Sequence, residues 1–175
     1  MKRALRLNLF LLVVMVGVGR AQDGPPMPFV DKGACPFECC TYRQWTAKQP
    51  TAILSAMKAN ASVAFRVGKG EHVRGMTGVV ITERAGIAEV LKSTTQDKVR
   101  LTRGDRVFLL TNLGEGFKKA WFKKRFFQAE PYDTATFKIV REPKSVWWVK
   151  IRNSKGEIGW SRQPEHFGHM DQCGG

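Results

Sequence analysis

The apolar positions of this chain fall in short alternating runs. Val149 and Ile151 alternate with Lys150 and Arg152 behind Trp147 and Trp148, the period of a strand with one buried and one solvated face. Asn153-Ser154-Lys155-Gly156 then supplies turn chemistry, including a glycine that can take positive φ. A second short strand closes at Gly159-Trp160. From Thr46 onward the segments are rich in Val, Ile, Phe, Thr and Trp and are broken by Gly, which predicts an all-β fold. The best helix candidate is the stretch from Ile53 to Asn60, although Ala52-Ile53-Leu54 equally fits the start of a strand.

Two segments repeat each other. Phe65 to Val73 and Val99 to Val107 each carry an apolar strand end, a cation, a Gly followed by an acid, and a strand resuming at Val. Their central glycines, Gly70 and Gly104, lie 34 positions apart. The repeat predicts two related barrel units, with one enlarged barrel as the alternative.

The double-aromatic strand, the Gly-ended turn and the closing Gly159-Trp160 resemble the C-terminal hairpin of bacterial SH3-like (SH3b) domains. Gly104-Asp105-Arg106-Val107-Phe108-Leu109-Leu110, the Gly114-Glu115-Gly116 turn and the Trp147 to Trp160 hairpin follow the order that family uses. The resemblance implies SH3-like β-barrels. A first unit would span 46–95, and a second would span 96–165 with a long insertion at 117–145. It also implies a non-enzymatic binding module whose aromatic-lined groove takes peptides or cell-wall components. Trp121, Trp147, Trp148 and Trp160 are the candidates for the walls or floor of that groove.

The ends of the chain add a compartment. Lys2, Arg3 and Arg6 precede an apolar run from Leu9 to Val18, and Gly19-Arg20-Ala21 offers small residues for cleavage, so residues 1–22 read as a secretory signal. The run is about half the roughly 20 residues a bilayer span needs, so no transmembrane span is expected once the signal is removed. Loss of the signal would remove four of the 29 cationic residues and none of the 15 acidic ones, lowering the net charge from +14 to +10. A secreted or periplasmic protein of that charge would meet anionic lipids, wall polymers and acidic glycans.

All four cysteines, Cys35, Cys39, Cys40 and Cys173, lie in the exported part. Two disulfides are expected, one of the Cys39/Cys40 pair reaching Cys35 and the other Cys173. Residues 23–45 then form an arm and a cysteine-rich cap, and residues 166–175 a tail tied by Cys173. Asp23 to Phe29 reads as a flexible lead because its prolines exclude helix. Phe37, Tyr42 and Trp45 read as core. The alternative use of the cysteines with His166 and His169 as a zinc site is disfavoured, since Cys-x3-Cys-Cys is a poor ligand spacing. No metal and no cofactor are expected.

The 117–145 insertion holds the most suggestive chemistry. Lys118, Lys119, Lys123, Lys124 and Arg125 interleave with Trp121, Phe122, Phe126 and Phe127. Cations that neutralise phosphates beside aromatic faces that stack suit an anionic polymer. Export favours an envelope or cell-wall polymer, or a protein partner, over nucleic acid. The alternative for this stretch is a hairpin turning at Lys123-Lys124, with Trp121 and one or both of Phe126 and Phe127 in the core and its cations in water. Two further functions are weighed: a structural or assembly protein of the envelope, and a small wall hydrolase. The hydrolase is disfavoured because no nucleophile, base and orienting group stand out together.

Overall fold

The computed structural model describes residues 24–173, so the expected signal at 1–22 lies outside the described residues. The described chain is all-β. In order its strands are β1 (Phe29–Lys32), β2 (Gln44–Ala47), β3 (Thr51–Leu54), β4 (Val63–Val67), β5 (His72–Arg84), β6 (Gly86–Val90), β7 (Thr94–Gln96) and β8 (Val99–Leu101). Then follow β9 (Arg106–Gly114), β10 (Phe117–Phe122), β11 (Arg125–Ala129), β12 (Phe137–Arg141), β13 (Lys144–Arg152), β14 (Ile158–Ser161) and β15 (Phe167–Gly168), with a 3-10 turn at Pro164–His166 before the last strand. The helix candidate 53–60 is not a helix. Ala52 to Leu54 belong to β3, and residues 55–62 form the turn into β4, closed by Ser55 N–H to the Ser62 carbonyl at 2.8 Å.

Strand pairing sorts these elements into two barrel-like units, one nested in the other. The outer unit is a curled sheet in the order β15-β2-β5-β13-β14-β3-β4. Its core is Trp45, Ala47, Ile53, Phe65, Val67, Val73, Val149, Ile151 and Phe167. The nested unit pairs β11-β10-β9-β6-β12 with a β7-β8 hairpin beside it. Its core holds Leu101, Val107, Leu109, Phe122, Phe127 and Phe137, among others. Each inward set comes from strand alternation, as in Gly86–Val90, where Gly86, Ala88 and Val90 are buried and Ile87 and Glu89 are partly exposed.

The repeated turns hold equivalent places in the two units. In the outer one, Gly70 N–H donates to the Ala47 carbonyl (2.8 Å) and Ala47 N–H to the Glu71 carbonyl (2.9 Å). In the nested one, Gly104 N–H donates to the Val90 carbonyl (2.8 Å) and Val90 N–H to the Asp105 carbonyl (2.9 Å). Gly70 and Gly104 have φ of 84° and 89°, a region where a Cβ is disfavoured.

The units therefore divide the chain differently from the expected 46–95 and 96–165. The outer unit takes its last strands from 144–168, including the Trp147 to Trp160 hairpin. The segment expected as an insertion, 117–145, supplies β10, β11 and β12 to the nested unit. Alternation marks a strand and its faces, but it does not say which distant strand becomes its neighbour. The chain enters and leaves the nested unit side by side. A Cβ on Gly86 would lie 2.7 Å from Pro143 N and 2.8 Å from the Arg141 carbonyl oxygen, so only glycine allows that approach.

The N-terminal arm is docked where a flexible lead was expected. β1 pairs antiparallel with β5 from Phe29↔Thr82 to Lys32↔Val79, Pro25 is buried, and Gly24 packs against the Phe108 ring. Disulfides Cys35–Cys40 and Cys39–Cys173 hold the cap. The tail is hydrogen-bonded as well, with Thr41 N–H to the Met170 carbonyl (2.8 Å) and Gln172 N–H to the Cys39 carbonyl (3.0 Å).

Candidate functional site

The cation-rich stretch forms the β10-β11 hairpin, in register Ala120↔Phe127, Trp121↔Phe126 and Phe122↔Arg125. Alternation sends Ala120, Phe122, Phe127 and Ala129 into the nested core and leaves Trp121 and Phe126 on the other face. Lys123 and Lys124 make the two-residue turn, with φ of 45° and 64°. Such turns favour Asn-Gly because both central residues need positive φ. Two lysines there cost about 1 kcal/mol or more in backbone strain. Charge, rather than turn propensity, is what this choice of residues supplies.

Behind the turn lies an aromatic row. Phe126, 47% exposed, meets Trp121 edge-on at 4.6 Å between ring centroids and Phe29 of β1 at 5.3 Å. Lys119 Nζ bonds Asp31 Oδ1 at 2.7 Å and lies 5.8 Å from the Phe29 centroid. Lys123 Nζ lies 4.7 Å from the Phe122 centroid, and Lys124 and Arg125 are exposed at the tip. The structure thus gathers Trp121, Lys123, Lys124 and Arg125 at one end of the nested unit, with Lys119 at its side. Phe29 and Asp31 belong to the same surface and were not among the sequence candidates. Only the pairing of β1 with β5 brings them there.

No family model matches this chain, and no curated protein or solved structure matches it.

Lys118 departs from the expected solvated cation. Strand alternation turns it the opposite way from Lys119, and it is only 3% exposed. Its ammonium donates to Asn112 Oδ1, lies 3.4 Å from Glu142 Oε2 and stands 5.3 Å from the Tyr132 ring centroid. These groups and Trp147 line a depression of about 400 Å³ at the junction of the two units. Because Glu142 is half exposed, water solvates its carboxylate if the partner is removed. Lys118→Met is therefore expected to change stability by less than about 1 kcal/mol, while Lys118→Ala, which also deletes the packed stem, costs about 2 kcal/mol. Urea denaturation of the two variants checks this.

The other three tryptophans do not share a groove. Trp147 stacks edge-on against Phe37 of the cap at 5.7 Å, on the same face of β13 as Val149 and Ile151. Its Nε1 and the Tyr42 hydroxyl both crowd Gly78, where a Cβ would lie 2.3 and 2.2 Å from them. Tyr42 donates to the Ala34 carbonyl. Burial raises the Tyr42 pKa above its ordinary value, and the Trp147 indole partly offsets the rise. Trp148, 5% exposed, points to the other face of β13, and Trp160 is paired with Lys150, whose Nζ lies 5.7 Å from its ring. A single groove walled by Trp121, Trp147, Trp148 and Trp160 is not formed.

The histidines and cysteines are engaged structurally. All four sulfurs are in disulfides, so they are not available as zinc thiolates with His166 and His169. His166 Nδ1 meets Thr51 Oγ1 at 2.9 Å, and His72 and His169 meet Thr46 Oγ1 at 3.2 and 3.1 Å. Among the described residues no helix is long and apolar enough to cross a membrane.

Proposed function

We propose that this protein is an exported, non-enzymatic interaction module that binds an anionic polymer of the cell envelope through the β10-β11 tip. The observation that carries the reading is the lysine pair in left-handed conformation beside an aromatic row in which Phe126 is exposed and Trp121 and Phe29 are partly buried. Charged side chains occupy a turn that would be more stable with Asn-Gly, and Phe126 is presented next to them instead of being buried. Cations neutralise the polymer's phosphates or carboxylates, and the Trp121-Phe126-Phe29 row offers flat apolar area to sugar faces. The disulfides suit an oxidising compartment, which supports a secreted or periplasmic location. The order of strands in each unit, with a short 3-10 turn before the last outer strand, supports the SH3-like part of the reading.

The tip offers an unusual test because stability and binding should move in opposite directions. Lys123→Asn with Lys124→Gly relieves the turn and is expected to stabilise the fold by about 1 kcal/mol. The same variant loses two cations and is expected to bind purified cell wall at least several-fold more weakly. Thermal melting and co-sedimentation with the wall read the two effects. A variant that is more stable and still binds fully would remove the tip from the reading.

A further inference from the structure

A second cationic site lies on the outer unit, away from the tip. Arg152 on β13 stands directly opposite Arg74 on β5, and Gln44 on β2 is opposite Arg74 from the other side. Residues directly opposite in an antiparallel pair have Cα atoms about 4.5 to 5.5 Å apart and side chains on one face. Two guanidinium groups are therefore held side by side. Both are exposed, and among the described residues neither has an acidic partner or a hydrogen bond.

Of the acids in the neighbouring turns, Glu157 accepts from Asn153 Nδ2 at 2.7 Å, and among the described residues neither Glu157 nor Glu71 forms an ion pair with either arginine. Like charges directly opposite each other destabilise a sheet. The pair sits in an open depression of about 400 Å³ lined also by Gln44, His72, Ser154 and Gly156. The rim is ordered, because Asn153 Oδ1 accepts from Lys155 N–H (3.0 Å) and Glu157 N–H (2.9 Å). Thr46 Oγ1 holds His72 Nδ1, which leaves Nε2 as that ring's remaining polar atom. Side-chain donors thus converge from β2, β5 and the β13-β14 turn.

We infer that Arg74 and Arg152 form a binding site for a phosphate monoester. Two uncompensated positive charges match the charge of about −2 on that group near neutral pH, whereas a carboxylate would leave one of them unbalanced. Guanidinium forks bond phosphate oxygens in pairs, and Gln44 and Ser154 can donate to the rest. The site is separate from the tip. Arg74 is eight residues along β5 from Thr82, the partner of Phe29, a separation of up to about 26 Å at the rise of a strand.

The test is an NMR titration of the full chain at matched ionic strength with inorganic phosphate, glucose 6-phosphate and acetate. Phosphate and glucose 6-phosphate are expected to give saturable shifts at Arg74, Arg152, Gln44 and Ser154, with acetate at least tenfold weaker. Binding of the sugar phosphate at least as tight as that of the free ion supports a monoester site, and binding of the free ion alone would overturn it. Arg74→Gln and Arg152→Gln should each weaken phosphate binding at least tenfold, while melting in chloride no lower than the parent chain. Arg152→Lys, which keeps the charge but loses the fork, should fall between. Shifts that fail to saturate, that persist in the glutamine variants, or that acetate reproduces at equal concentration would overturn the site.

Discussion

Trp45→Ala is expected to cost about 3 to 5 kcal/mol, the usual price of deleting a fully buried large aromatic. Trp45 is 0% exposed and lies between Tyr42 (5.7 Å) and Phe167 (6.0 Å), so it joins the cap, β2 and the last strand in one core. The indole presses onto Gly75, where a Cβ would sit 2.5 Å from its Cζ2, so the residue directly beneath the ring offers no side chain to fill the vacated space. Its Nε1 donates to the Thr41 carbonyl at 3.1 Å, and that acceptor would lose its partner as well. Against a typical total of about 5 to 15 kcal/mol, such a loss leaves the outer unit marginal. Urea denaturation with hydrogen exchange would read it. Amides of β2, β5 and β13 should lose protection first, because the nested core at Leu109, Phe122 and Phe137 does not touch the deleted ring. Equal loss in both cores would mean that the two units fold as one.

The second large effect concerns the staple. Cys39–Cys173 closes 134 residues of chain, and its removal by Cys39→Ser with Cys173→Ser is expected to cost about 5 kcal/mol in the chain-entropy model. Cys35–Cys40 closes only 5, worth about 2 kcal/mol by the same relation. Both bonds sit in the same cap, so loop length sets their ranking. Parallel urea titrations of the two double variants should place the Cys39/Cys173 variant clearly lower. The opposite ranking would show that the cap depends on its local bond, and that the tail is held by β15 and the Thr41 and Gln172 hydrogen bonds alone.

Alternation around Val149 to Arg152 was enough to read β13 and its buried face, and the two Gly-acid turns were legible as equivalent features. The turn at Lys123-Lys124 was also legible, because the apolar positions on either side reverse about it. What alternation could not supply was the pairing of β5 with β13 around an entire inserted unit. Nothing local to His72–Arg84 specifies a neighbour that begins at Lys144. The same gap hid the Arg74 and Arg152 pair and the packing of Phe29 on Phe126, since each depends on register between distant strands. Lys118 and Lys119 look identical in composition, yet one is buried and one bonds Asp31, a difference set by the opposite faces of β10 on which they lie.

Retention on an immobilised acidic polysaccharide such as heparin, compared between two variants of equal charge, tests the tip most directly. One carries Lys123→Glu, Lys124→Glu and Arg125→Glu; the other carries Lys48→Glu, Lys58→Glu and Lys69→Glu, all exposed on the outer unit. If the tip is the polymer-binding surface, the first variant elutes at much lower salt than the second, and the uncharged change Phe126→Ala also lowers the elution point. Co-elution of the two charge variants, with Phe126→Ala unchanged from the parent, would mean that only net charge holds the protein to the polymer.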